Sequence, residues 1–192
     1  IGGDVVDAAV PGVYVVTYDA TDASGNAATQ VTRTVMVEDT TSPVIALTGD
    51  NPQEIECSTA YVELGASASD DCDQALGAVV IDASGVDVST PGSYVVTYNI
   101  SDASGNAAVT VARTVNLIDT TPPVVVLLGD SPQVIESPNA YTELGATASD
   151  TCDQALGAVV IDASLVDVLT PGSYVVTYNI SDATGNAAVT VT

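Results

Sequence analysis

The sequence contains no lysine, histidine, phenylalanine or tryptophan, and its only cationic side chains are Arg33 and Arg113. Without His and Lys, the usual proton-transfer groups reduce to carboxylates, and nucleophilic or acid–base catalysis is not expected. Without Lys, reinforcement by Lys–Asn isopeptide cross-links is impossible. Twenty-five acidic residues against two basic ones give a formal net charge of −23. Such a surface repels nucleic acid and anionic lipid headgroups, so neither is an expected partner. No apolar run approaches the roughly 18 residues of a membrane helix, so no membrane insertion is expected. No signal peptide is visible, and the sequence reads as a window cut from a longer array.

What is present points to β structure. Hydrophobic residues make up 46% of the chain. Most are Val and Ala, with Thr beside them, and β-branched residues suit pleated, half-buried surfaces. That richness also argues against disorder, the usual reading of a strongly acidic chain.

The organisation is repetitive. Pro43-Val-Ile-Ala-Leu-Thr-Gly-Asp50 returns as Pro123-Val-Val-Val-Leu-Leu-Gly-Asp130, a period of 80, and 55 of 70 positions are identical between 43–112 and 123–192. The same offset places Ile1 on Ile81. The expected domains are 1–42, the C-terminal half of a repeat; 43–122, a complete repeat; and 123–192, a repeat lacking its last strand. In Tyr94-Val-Val-Thr-Tyr-Asn-Ile100, Tyr94, Val96, Tyr98 and Ile100 share one face, the period of a half-buried strand. Asp102-Ala-Ser-Gly-Asn106 reads as a turn before a strand over 107–118. Shorter strands are expected near 44–47, 53–57, 64–69, 79–82 and 86–88. Pro91-Gly92-Ser-Tyr94 looks like the corner opening the penultimate strand. About seven strands per repeat predict an all-β fold of tandem immunoglobulin-like sandwiches.

The motifs Pro-x-Ile/Val-x-Leu-x-Gly-Asp, Tyr-x-Glu-Leu-Gly-Ala-x-Ala-Ser-Asp, Thr-Pro-Gly-x-Tyr-x-Val-x-Tyr and Asp-x-x-Gly-Asn-x-Ala resemble the bacterial surface-protein Ig-like family. That family also occurs in a pesticidal crystal protein and is similar to hyalin-type repeats. The resemblance implies spacer, stalk or adhesin modules of secreted proteins.

The acidic loops carry the chemistry. In a sandwich of this type, the loop 69–73 and the loop 102–106 emerge at one pole, facing the linker 38–41. Asp39, Asp70, Asp71, Asp73, Asp102 and Asn106 are therefore expected to converge. The next junction would gather Asp119, Asp150, Asp153, Asp182 and Asn186. Hard oxygen ligands without His point to calcium as the cofactor. The competing reading is that Asp-Ala-Ser-Gly-Asn is only a self-bonded loop.

Other features remain. The strand alternation would bury Arg113, so a bulge or a carboxylate of the Glu63 type is expected to accommodate it. A Cys57–Cys72 disulfide is expected within one repeat. Ser137 replaces Cys57 in the next copy, leaving Cys152 as a free thiol or a cross-link to another chain. Asn99-Ile-Ser101 and Asn179-Ile-Ser181 fit the N-glycosylation pattern. Thr48, Glu54, Gly85 and Ser89 become Leu128, Val134, Leu165 and Leu169, read first as core packing and alternatively as a sticky flank.

The expectation is a secreted or cell-surface structural array, stiffened by Pro122 and Pro123 into an extended rod or filament. Its partners would be neighbouring domains and other copies. Ligand-binding adhesin repeats and accessory domains of a secreted hydrolase are the alternatives. Strand addition between copies is a third. Sugar-binding faces usually need exposed aromatics, and the Tyr residues here fall mostly on core faces.

Overall fold

The computed structural model describes residues 1–192 as an all-β chain of thirteen strands. No helix is long and apolar enough to cross a membrane. The chain forms two compact units: Ile1–Asn51 with Glu63–Gly85 and Val95–Arg113, and Pro52–Val62 with Val86–Tyr94 and Thr114–Thr192.

In the first unit, β1 (Gly2–Gly3), β2 (Gly12–Tyr18) and β3 (Val31–Val37) form an antiparallel sheet in which Tyr14 faces Val35 and Val16 faces Arg33. β4 (Val44–Leu47) pairs antiparallel with β6 (Ala66–Ser69). A four-stranded sheet has the order β5-β9-β8-β7, built from β5 (Gln53–Glu56), β7 (Val80–Asp82), β8 (Gly92–Asn99) and β9 (Val111–Ile118). Within the second unit, Gln53–Glu56 runs parallel to residues 115–118. The same unit holds the antiparallel pairs β10 (Val124–Leu127) with β11 (Ala146–Ser149), and β12 (Val160–Asp162) with β13 (Thr177–Asn179).

The alternation read from the sequence is the observed burial. Val96 and Tyr98 are fully buried and Ile100 nearly so, while Val95, immediately before them on the opposite face, is 58% exposed. On β9, Arg113, Val115 and Leu117 turn inward, as the period of two requires. At or just before the start of each penultimate strand, a tyrosine hydroxyl donates to a carbonyl four residues upstream: Tyr14 to Val10, Tyr94 to Thr90 and, three residues ahead of β13, Tyr174 to Thr170, at 2.7–2.8 Å. This is the tyrosine corner of immunoglobulin-like sandwiches.

Two expectations fail. Residues 86–88 form no strand. Leu128, Val134, Leu165 and Leu169 are 47%, 91%, 73% and 75% exposed, so they do not improve a core. Leu165 and Leu169 lie in turns between strands, where there is no facing layer to receive them.

Candidate functional site

The loops that join the last two strands of each repeat set the local geometry. Asp102 accepts the Asn106 backbone and side-chain amides, both at 2.7 Å. Gly105 closes the turn with φ 91°, a conformation open to glycine without strain. Burial pushes the Asp102 carboxyl up, but the bonds from Asn106, Gly105 and Ser104 outweigh it and hold it below the usual carboxylate range. Asp22–Asn26 and Asp182–Asn186 repeat the bonding pattern. These aspartates therefore serve their own loops, which is the turn role expected of the motif.

In the first unit, the Asn106 side chain also donates to the Asp39 carbonyl at 3.1 Å. Asp73 accepts the Ala103 amide at 3.0 Å. Asp70 Oδ1 accepts the amides of Cys72 and Asp73 at 2.8 and 2.9 Å. Asp39, Asp70, Asp73, Asp102 and Asn106 are thus brought together, and one ligand atom from each of Asp39, Asp70 and Cys72 lies within 4.8 Å of the others. Asp70 Oδ2 is buried and accepts no hydrogen bond. Asp71 stands apart: it is exposed and offers only its backbone carbonyl, to Gln74.

The second unit repeats the arrangement. Asn186 donates to the Asp119 carbonyl at 3.1 Å, Ala183 to Asp153 at 3.0 Å, and Cys152 and Asp153 to Asp150 Oδ1 at 2.7 and 2.9 Å. Asp150 Oδ2 is again buried without a partner. The group within 4.8 Å is here Glu56, Asp119 and Cys152. Sequence reasoning missed Glu56, because only the parallel pairing of β5 with β9 delivers it to Thr120 and Thr121, which donate to it at 2.8–2.9 Å. Those bonds, led by the Thr120 amide, hold the Glu56 carboxyl below its ordinary value.

The expected Cys57–Cys72 disulfide is overturned. Cys57 is bonded to Cys152, 95 residues on in the following repeat, with Cα atoms 5.9 Å apart. Cys72 is free and exposed. The cause is again β5, whose direction hands Cys57 to the far end of β9, where its amide donates to the Ile118 carbonyl at 2.8 Å. Cys57, Leu117 and Cys152 form a buried cluster with Ile55 and Tyr94 packed against it. Cys152 is therefore neither a free thiol nor a cross-link to another chain.

Arg113 is fully buried, as the strand alternation requires, and is clamped rather than turned outward. Its guanidinium lies 3.4 Å from Glu63 and donates to the carbonyls of Gly65 (3.3 Å) and Thr48. It sits 5.6 Å from the centroid of the Tyr98 ring, whose hydroxyl donates to the same carboxylate at 2.7 Å. A buried charge persists only when paired in this way. Arg33, its equivalent in the first half-repeat, is exposed and lies 5.9 Å from the Tyr18 ring centroid. In residues 123–192, Glu143 accepts the Gly145 amide at 2.7 Å, the Tyr178 hydroxyl at 2.8 Å and the Tyr141 hydroxyl. Burial opposes its charge, yet those three bonds keep its carboxyl below the ordinary glutamate value. Burial and the Glu143 carboxylate raise the Tyr141 and Tyr178 hydroxyls.

Repeated sandwich halves, tyrosine corners and self-capped Asp–Asn loops define a class: immunoglobulin-like repeat proteins whose distinctive polar groups are structural carboxylates. Residues 1–37, 45–117 and 125–192 match the model of the Ig-like domain of bacterial surface proteins, and the chain belongs to that family. It is also similar to hyalin of Lytechinus variegatus, 34% identical over 145 residues, which is 71% of this chain and 27% of that protein. The chain thus spans about a quarter of the length of this relative.

Proposed function

We propose that this chain is a non-enzymatic structural segment of a secreted or cell-surface protein, a calcium-stabilised run of Ig-like repeats forming a stiff rod or filament. The observation that carries this reading is the Cys57–Cys152 bond, which ties one repeat covalently to the next. Disulfides of this kind persist in oxidising, extracellular compartments. Proline at 122 and 123 restricts the connecting segment further. The longest strands, β8 and β9, have 8 residues each, and at ~3.4 Å per residue span roughly 27 Å along a repeat.

Calcium fits the residues present. Asp70 Oδ2 and Asp150 Oδ2 are buried carboxylate oxygens without donors, at equivalent places in two copies. Asp39 and Asp70 would hold the ion in one, and Glu56, Asp119 and Asp150 in the other. Cys152 offers no thiolate because it is oxidised, which favours a hard, oxygen-bound cation. The ion would neutralise carboxylates that otherwise repel one another in a chain of net charge −23.

Thermal unfolding in calcium and in EDTA tests the reading. A free concentration near 100 times the Kd adds about 2.7 kcal/mol per site. Asp70→Asn and Asp150→Asn should each remove one site's share. Identical transitions in calcium and EDTA would eliminate the ion from the account. Small-angle scattering tests the rod separately, and a compact particle would refute it.

A further inference from the structure

Three cysteines allow three pairings, and spacing along the chain ranks them. Cys57 lies 15 residues from Cys72 and 95 from Cys152. Loop closure in an unfolded chain falls as the three-halves power of length, so Cys57 meets Cys72 about 16-fold more often. The structure nonetheless bonds Cys57 to Cys152, so contacts other than chain proximity select the partner. Both neighbours of Cys57 supply them. Glu56 accepts the Thr120 amide and hydroxyl, each at 2.9 Å, and the Thr121 hydroxyl at 2.8 Å. Asp119, just before these threonines, brings a carboxylate oxygen within 4.8 Å of the Cys152 sulfur. The Ser58 hydroxyl donates to the carbonyl of Thr151, the residue before Cys152, at 3.0 Å, and the Ser58 amide donates to Val88 at 2.6 Å. Ser58 holds φ at 60°, the one positive value outside glycine, and such a conformation persists only where its surroundings hold it. Between the two, the Cys57 amide donates to the Ile118 carbonyl at 2.8 Å. None of these bonds needs sulfur.

We propose that Glu56 and Ser58 form a pairing clip: their hydrogen bonds dock residues 56–58 against 118–121 and Thr151 before any sulfur bond exists, and so assign Cys152 rather than Cys72 to Cys57. Cys72 is placed instead among Asp39, Asp70 and Thr41. Two thiols docked in this way react as if at high concentration, because the cost of bringing them together has already been met. Oxidation then needs only an external disulfide, such as that of glutathione. One sulfur–sulfur bond forms between Cys57 and Cys152, the glutathione bond breaks, and the two cysteine protons end on two glutathione thiols. The following repeat loses both parts together: Ser137 stands in place of the cysteine and Pro138 in place of the clip serine. This inference is independent of the calcium reading and is tested without metal.

The experiment reduces and unfolds the intact 192-residue chain, then refolds it in EDTA in a buffer of reduced and oxidised glutathione. Mass spectrometry of proteolytic fragments counts the pairings at equilibrium and gives the effective concentration of each pair. Cys57–Cys152 should predominate. Glu56→Gln keeps the shape but removes the charge, and should lower the effective concentration of that pair about tenfold or more, with Cys57–Cys72 and glutathione-capped Cys57 rising. Ser58→Ala keeps the backbone strain, loses one neutral hydrogen bond and should lower it about threefold. Glu54→Gln, exposed on the same strand and outside the clip, should leave it unchanged. A second measurement removes the sulfurs: in the Cys57→Ser, Cys152→Ser chain the Thr120 amide should stay protected from hydrogen exchange, which shows docking without the bond. The proposal is overturned if Glu56→Gln leaves the effective concentration unchanged or if Glu54→Gln lowers it as much. It is equally overturned if the Thr120 amide exchanges freely in the doubly substituted chain, an outcome that decides even where Glu56→Gln fails to refold.

Discussion

Residues 43–112 and 123–192 share most of their sequence and differ in what surrounds it. The first copy has an arginine strand between β5 and β8, a socket whose carboxylate is matched by a cation, and a fully buried Val96–Tyr98 face. The second has the same carboxylate, held by two tyrosines and an amide, beside a groove. Its first corresponding position, Val176, is only partly buried. Nearly identical residues thus differ in burial, Val96 being fully buried and Val176 only partly, while Tyr98 and Tyr178 are both buried. Local sequence sets the alternation, and the surroundings of each copy set its depth of burial.

The cysteines sharpen the comparison most. Cys152 is bonded and Cys72, its equivalent 80 residues earlier, is free. Closing a loop of 95 residues is worth about 4.7 kcal/mol. Cys152→Ser should lower stability of the second unit by about that amount in chemical denaturation, and Cys72→Ser by under about 0.5 kcal/mol. Mass spectrometry after alkylation of the unreduced, denatured chain should find one labelled cysteine, and three after reduction. A label on Cys152 before reduction would break the assignment.

The arginines come next. Arg113→Met leaves Glu63 without its cation in the interior and should cost about 3 kcal/mol. Arg33→Met, on an exposed strand, should cost a few tenths. Equal effects would show that the half-repeat shelters its arginine as the full one does.

The smallest expected effect separates the copies by pH. Glu143 titrates below its ordinary value in the folded chain, so its bonds stabilise above the unfolded glutamate pKa of about 4.3 and are lost as pH falls through the lower folded value. Tyr178 titrates above its ordinary value, so its share is complete below about 10 and is lost as pH rises through the folded value. Glu143→Gln should flatten the acid limb of stability measured on the second unit and leave the shared limb from Asp102 and Asp182, both held low by their loops, intact.

Much of this was legible in the sequence. The inward face of β8, the tyrosine corners, the Asp–Asn loops and the burial of Arg113 against Glu63 all follow from period-2 alternation and local turn chemistry. The disulfide did not follow, because it depends on β5 running parallel to β9, and nothing in Gln53–Glu56 states its partner. A hint was present in arithmetic: Cys57 and Cys152 differ by one repeat plus the 15-residue spacing of Cys57 from Cys72. Glu56 escaped notice for the same reason. Leu165 and Leu169 misled in the opposite direction, since aliphatic character predicts burial only where a facing layer exists.

The sulfur bridge also has a mechanical consequence. When the chain is pulled from its two ends, tension crosses from Cys57 to Cys152 directly, and the residues between them carry no load. A separation of 95 residues, about 320 Å if drawn out, is thereby kept as slack that only a reductant can release.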